Sequence, residues 1–207
     1  MTNTKKTINR KTERLVGLAI LSAIVIVLQY LSVAIGKIFP MLPFSITLTL
    51  IPIVIGAAMY GASAGAYLGG VFSVIVVINS ISGIDAGGFM VWQANPVLCV
   101  VLCMLKGIAA GFVAGLVYKA LSKFNVIFGT FTAAICAPVV NTGIFILGMF
   151  LFFKPTLETW ATLNNQNDVL FYALFIMAGV NFLIELVSNI VLSPVVVKII
   201  NAVKKQK

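Results

Sequence analysis

Long apolar runs alternate with short polar connections along this chain of 207 residues. Most of the runs approach the ~20 residues that a helix needs to cross a bilayer, and their length favours helix over strand. Proline and glycine concentrate between the runs, where they disfavour helix. The pattern predicts six membrane-spanning helices, at about residues 15–35, 46–59, 64–81, 97–121, 126–153 and 169–197, the second of them short and the last bent near Pro194.

Composition strengthens the prediction of a membrane protein. Hydrophobic residues make up 61% of the chain and charged residues only 9%, whereas soluble domains carry about 45–50% and about 25%. The first apolar run is too long for the core of a cleavable signal peptide. We therefore expect an all-α integral membrane protein with a single domain over residues 1–207, in which a basic tail at 1–14 precedes a six-helix bundle at 15–203.

The basic residues predict the orientation, because short cytoplasmic loops retain lysine and arginine. With both termini in the cytoplasm, the inner side holds most of them: Lys5, Lys6, Arg10, Lys11, Arg14, Lys119, Lys123, Lys198, Lys204, Lys205 and Lys207. The outer connections then hold only Lys37 and Lys154. Membrane orientation and attraction to anionic lipid explain the net charge of +9, and nucleic-acid binding is disfavoured.

Polar and aromatic side chains collect in the predicted outer connections. The segment SGIDAGGFMVWQANP follows the third predicted helix, and KPTLETWATLNNQND follows the fifth. Loops on a rigid scaffold commonly carry binding residues. We expect an outward-facing recognition surface to include Asp85, Trp92, Gln93, Asn95 and Trp160.

One lysine lies inside an apolar run. Lys106 is about ten residues into the fourth predicted helix, which places it roughly 15 Å below the outer surface at 1.5 Å per residue. A charge at this depth costs about 2.5–3.5 kcal/mol on insertion scales, so it must face protein or water. Lys106 therefore requires either a charged partner or a polar cavity.

Both explanations have candidate residues. The sixth predicted helix sets Asn181, Glu185 and Asn189 at four-residue intervals on one face. In the first explanation, Lys106 and Glu185 form a structural ion pair and the asparagines join helices. In the second, Lys106, Asn181 and Asn141 line the floor of an outward-opening cavity, and the ammonium group binds an anionic solute.

Other chemistry is disfavoured. The chain has no histidine, and Cys99 and Cys103 are four residues apart, so neither a metal site nor a Ser-His-Asp set is expected. No phosphate-binding Walker A sequence is present. Glu185 is the only acid inside a predicted span, which disfavours catalysis by a carboxylate pair. We expect neither an enzyme nor a bound cofactor.

Small residues form a second pattern. Ala19 and Ala23 share a face of the first predicted helix, and Gly61 and Gly65 lie at the turn into the third. Such residues let helices approach closely. Both internal packing and docking of a partner subunit are consistent with this pattern.

These features together resemble a known family. A six-helix chain of this size with Ala19-xxx-Ala23 and a Tyr60-Gly61 turn is similar to the substrate-binding S-components of energy-coupling factor (ECF) transporters. The resemblance implies a vitamin-capture subunit in a prokaryotic plasma membrane, which docks on a transmembrane coupling subunit driven by two cytoplasmic ATPases. It also implies that Ala19 and Ala23 face the coupling subunit, and that the substrate pocket lies near the outer surface.

The resemblance also suggests a substrate. The runs FSITLTLIPIVIGAAMYGASAG and FMVWQANPVLCVVLCMLKG are most similar to pantothenate-specific members. Pantothenate is a small anion, and Lys106 suits its carboxylate. Folate and riboflavin stay open, because Trp92, Phe89 and Trp160 could form an aromatic slot.

Two readings from other classes stay open. A proton-coupled secondary transporter would use Lys106 and Glu185 as a proton-linked pair and would work without ATPases. A membrane-embedded enzyme or structural partner subunit would bind no vitamin. A solute-binding measurement separates these readings from vitamin capture.

Overall fold

The computed structural model describes residues 2–38 and 48–205, with side chains at 11–34 and 48–202. Every regular element in this part of the chain is helical. A π-helical segment at Tyr172–Met177 precedes the last helix. The α-helices are α1 Thr2–Ile38, α2 Leu50–Tyr60, α3 Ala62–Ile81, α4 Ala86–Ala94, α5 Pro96–Leu121, α6 Val126–Phe152, α7 Lys154–Leu163, α8 Val169–Phe171 and α9 Gly179–Lys205.

Five of the described helices contain segments long and apolar enough to cross a membrane, namely Lys11–Ala34, Ala62–Ile81, Pro96–Leu121, Val126–Phe152 and Gly179–Ala202. The second predicted helix is shorter than a span. Its described part, α2, has 11 residues and extends about 16 Å at 1.5 Å per residue. Leu50, Ile53 and Val54 of α2 are almost completely buried. Helix α2 therefore contributes to the protein core, and the fold has five candidate spans plus this short buried helix.

Both predicted outer connections contain a helix. Helix α4 lies within the glycine-rich connection after α3, and α7 lies within the polar connection after α6. In α7, Leu157, Trp160 and Ala161 are buried at helical spacing, so packing on one face stabilises a segment that otherwise looks polar. In α4, Gly88 packs so closely on Ser80 of α3 that a side chain would collide with its hydroxyl.

The ends of the chain also differ from the prediction. Helix α1 begins at Thr2, so the basic segment expected as a tail is helical as far as the structure describes it. The sixth predicted helix is divided into α8, the π-helical segment and α9, while Pro194 lies inside α9. The connection at 39–47, the first two residues of the second predicted helix and the terminal Lys207 lie outside the described residues.

Helices α3 and α5 make the closest helix contact among the described elements. A Cβ atom at Gly65 would collide with the carbonyl oxygen of Gly111, and one at Gly69 would collide with that of Gly107. Ala62 packs in the same way against Gly115. The two antiparallel backbones therefore touch over several turns, which only glycine permits.

We expect Gly69→Ala to destabilise the protein by about 1–3 kcal/mol, because overpacking forces α3 and α5 apart. Gly70→Ala is the matched control, since its Cβ would meet only Ile108 at 3.7 Å, an ordinary contact. Both substitutions raise intrinsic helix propensity equally. Thermal unfolding in detergent should show a lower melting temperature for Gly69→Ala alone. Equal melting temperatures would contradict the tight contact.

Candidate functional site

Lys106 contacts an aromatic ring in the interior of the bundle. Its side chain is half-buried on α5, and Nζ lies 4.7 Å from the centroid of the Phe145 ring on α6. This distance is that of a cation–π contact, which strengthens when water is excluded. Asn141 precedes Phe145 by four residues and so belongs to the same face of α6. The ammonium therefore lies against the face of α6 that carries the buried Asn141.

The polar residues predicted to share one face of α9 hydrogen-bond to one another within that helix. Glu185 is 1% exposed. Asn181 Nδ2 donates a hydrogen bond to Glu185 Oε1 at 3.5 Å, and Asn189 Nδ2 donates to the Glu185 carbonyl oxygen at 2.8 Å. At the surface, Lys154 and Glu158 form an ion pair, with 4.0 Å between N and O.

Several buried amide oxygens have no hydrogen-bond partner among the described residues. They include Oδ1 of Asn141 and Oδ1 of Asn181, both predicted from the sequence to line the cavity floor. Leaving such a group unpaired costs about 1–3 kcal/mol. An amide oxygen of this kind is well suited to accept a hydrogen bond from a hydroxyl or amide of a bound solute.

Two thiols lie on α5 between its first turn and Lys106. Cys99 and Cys103 are both buried, seven and three residues before Lys106. Over the residues with described positions, no group of three His, Cys, Asp or Glu residues could hold a metal ion.

Helices α4 and α7 border an open pocket of about 440 Å³ with both polar and apolar lining residues. The pocket brings together the predicted residues Gln93 and Trp160, which are far apart in sequence. Its remaining lining includes residues that the sequence did not single out, namely Met90, Ala94, Pro155, Thr156 and Thr159. These residues share one face of α4 or of α7. Their spacing could identify this face only after both segments are known to be helices.

The other predicted outer residues have structural contacts. Asn95 caps α5, and its Oδ1 accepts a hydrogen bond from the Leu98 amide at 3.1 Å. Trp92 is partly buried against the hydrophobic core. Asp85 lies directly before α4, and its carbonyl oxygen accepts a hydrogen bond from the Phe89 amide at 2.9 Å. These three residues surround the pocket-lining segment of α4 without lining the pocket itself.

The small residues divide into two groups. Ala19 and Ala23 are exposed on α1 and available for contact with another helix. Gly61 has a φ angle of 92° and ends α2, a conformation that favours glycine. Gly65 is buried against α5, as described above. Ala19 and Ala23 are therefore accessible to a partner helix. Gly61 and Gly65 instead contribute to the packing of α2, α3 and α5.

Comparison with known proteins gives the class. The family model of the substrate-specific component of ECF transporters matches residues 13–197. The match covers most of the chain, so this protein belongs to that family of transporter substrate-binding components, and it is a multi-pass membrane protein. The resemblance predicted from the sequence is confirmed.

A curated relative carries a more specific name. The pantothenic acid transporter PanT of Lactococcus lactis subsp. cremoris (strain MG1363) is 26% identical over 188 residues. The aligned region covers 87% of this chain and 89% of the relative. The similarity therefore extends across both proteins and is not limited to one motif.

The capping bond of Asn95 gives a direct test of its role. We expect Asn95→Ala to lower the stability by about 1 kcal/mol, because α5 loses its N-terminal cap. Asn95→Asp should retain the stability, since a carboxylate oxygen also caps a helix N-terminus. Thermal unfolding of the two variants measures the difference. A loss of stability in Asn95→Asp as large as in Asn95→Ala would show that the amide nitrogen matters and that capping alone is not its role.

Proposed function

We propose that this protein captures pantothenate at the outer face of a prokaryotic plasma membrane and delivers it for ATP-driven uptake. The observation that carries the proposal is the half-buried Lys106 ammonium inside a membrane-spanning helix of an ECF substrate-specific component. The name of the Lactococcus relative supports pantothenate as the substrate. Folate and riboflavin are the competing substrates.

The chemistry of pantothenate matches the Lys106 ammonium and the unpaired buried amides of α6 and α9. The solute carries a carboxylate at one end, an amide in the middle and hydroxyls at the other end. The Lys106 ammonium would donate hydrogen bonds to the carboxylate, while Phe145 supports the ammonium on its other side. Asn141 and Asn181 would accept hydrogen bonds through their buried oxygens. Exclusion of water would strengthen each of these interactions.

The proposed pathway uses the open pocket between α4 and α7 as the entrance. Gln93 and Trp160 would make the first contacts, and Asp85, Trp92 and Asn95 would position α4 at the opening. Small movements of the two outer helices would then close the site over the solute. In this arrangement both termini lie in the cytoplasm, and α2 is the sixth element of the bundle.

The proposed transport step requires partner subunits. A transmembrane coupling subunit would pack against the exposed Ala19 and Ala23 of α1, where small side chains permit close helix contact. Two cytoplasmic ATPase subunits would supply the energy, since this chain has no Walker A sequence. Gly61 and Gly65 would support this surface from within by fixing the α2–α3 turn.

Ligand binding by the purified protein tests the proposed substrate. We expect pantothenate to raise the melting temperature, because saturation at 100 times the dissociation constant adds about 2.7 kcal/mol. Lys106→Met should weaken binding about 10- to 100-fold, since a charge-assisted hydrogen bond contributes about 1.5–3 kcal/mol. The matched control is Lys154→Met, which removes a surface lysine paired with Glu158 and should bind normally.

Other outcomes of this test point to other substrates or classes. A higher melting temperature with folate or riboflavin but not with pantothenate would identify that vitamin as the substrate. Uptake by proteoliposomes that contain this chain alone, lost when the proton gradient collapses, would show a secondary transporter. No shift with any water-soluble vitamin would contradict vitamin capture.

The docking surface can be tested separately from capture. We expect Ala23→Trp to abolish ATP-dependent uptake by the complete complex and to leave solute binding by the isolated chain unchanged, because a bulky ring would hold the coupling helix away. Ala120→Trp places the same ring on another exposed alanine, on α5, and serves as the control. Uptake of labelled pantothenate and binding in detergent give the two readouts. Normal uptake by Ala23→Trp would place the coupling surface elsewhere.

A further inference from the structure

One buried amide is not explained by the residues considered so far. Asn79 lies near the end of α3 and is 0% exposed. Neither its Nδ2 nor its Oδ1 has a hydrogen-bond partner among the described residues. Its neighbour Ser80 is equally buried but donates a hydrogen bond to the Val76 carbonyl oxygen at 2.9 Å. At this end of α3, the side chain of Asn79 therefore keeps both a hydrogen-bond donor, Nδ2, and an acceptor, Oδ1, for a bound molecule.

The α3–α5 packing locates this amide. Gly65, Gly69, Phe72 and Val76 form the face of α3 that continues to Asn79 in steps of three and four residues. Along this face Gly65 meets Gly111 and Gly69 meets Gly107 on antiparallel α5. Continuing the same register to the end of α3 sets Asn79 level with Val97, near the start of α5. Asn79 thus lies at the outer end of the α3–α5 interface.

Backbone hydrogen bonds tie Asn79 to the start of α4. The Asn79 carbonyl oxygen accepts hydrogen bonds from the amides of Ile84 at 3.0 Å and Asp85 at 3.2 Å, so the turn into α4 folds over this residue. Asn79 therefore lies where the end of α3 meets the start of α4.

The spacing along α5 matches the length of the proposed solute. Val97, which lies level with Asn79, and Lys106 are nine residues apart along α5, which is about 14 Å. Extended pantothenate measures roughly 10 Å from its carboxylate carbon to its terminal hydroxyl, since an extended chain advances about 1.2 Å per bond. A hydrogen bond of about 3 Å at each end extends this reach to about 16 Å. A solute with its carboxylate at Lys106 would therefore bring its hydroxyl end within reach of the level of Asn79.

We propose that Asn79 determines specificity by hydrogen-bonding the hydroxyl-bearing end of the captured solute. This inference rests on the proposed function, because it takes the carboxylate to be at Lys106. An amide both donates and accepts, so one side chain can recognise a hydroxyl in both directions. The unpaired amide of the empty protein then acquires its partners only when the correct solute binds.

The test compares pantothenate with its analogue that lacks the terminal hydroxyl. Wild-type protein should bind pantothenate about 10- to 100-fold more tightly than the analogue, because the analogue leaves a buried amide unpaired. In Asn79→Leu the preference should fall below about threefold. Ser80→Ala, which removes an already paired hydroxyl beside it, should keep the wild-type preference. Titration calorimetry on the purified full chain gives all three ratios.

A second readout separates recognition from a structural role. Replacing an unsatisfied buried amide by an apolar side chain of similar size should raise the melting temperature of the solute-free protein. A variant that is more stable when empty yet discriminates less is the expected signature. Asn79→Ala adds no bulk and gives the same comparison if leucine does not fit.

The outcomes distinguish the two proposals. Wild-type preference retained in both Asn79 variants, with pantothenate binding intact, would overturn the role of Asn79 and leave the proposed function standing. Lower stability of both variants without solute, with unchanged discrimination, would likewise overturn it. Failure of the wild type to bind pantothenate would overturn both proposals together.

Discussion

A polar side chain buried in a membrane-spanning bundle must find a partner, because the surrounding lipid offers none. This constraint organises the interior of the protein. Serines and threonines meet it locally by donating to the carbonyl oxygen four residues back, as Ser73 and Thr130 do. The buried asparagines satisfy it only in part. The side-chain atoms left over include those of Asn79 on α3, Asn141 on α6 and Asn181 on α9, so a bound solute would find hydrogen-bond partners on three helices.

Packing of α3 on α5 holds these groups in place. The glycine contacts bring the two backbones together and fix their register, which then determines the depth at which Asn79 and Lys106 lie. The cation–π contact between Lys106 and Phe145 connects α5 to α6. On α9, the hydrogen bond from Asn181 to Glu185 orders the two polar side chains. In the proposed capture site these packed helices form the inner wall, and the short helices α4 and α7 form the movable entrance.

The sequence predicted the long helices well because apolar runs near 20 residues have few alternatives in a membrane protein. It did not predict α4 and α7, since Gly87, Gly88 and the polar residues of α7 give little local preference for helix, and tertiary packing decides. Candidate site residues could be predicted where a polar side chain lies inside an apolar run, as Lys106 and Asn141 do. Gln93 and Trp160 were predicted singly, but their meeting in one pocket depends on the packing of α4 and α7. Asn79 gave no sequence signal, because an asparagine near a helix end looks like an ordinary cap or turn residue.

The proposed function depends on recognition of the solute carboxylate by the Lys106 ammonium. The first quantity to measure is the ratio of dissociation constants for pantothenate and pantothenol, in which the carboxylate is replaced by a neutral alcohol, for wild type and Lys106→Met. Wild type should prefer the acid by about 10-fold or more, and Lys106→Met should lose this preference. Equal affinity of the wild type for the acid and the alcohol would contradict it.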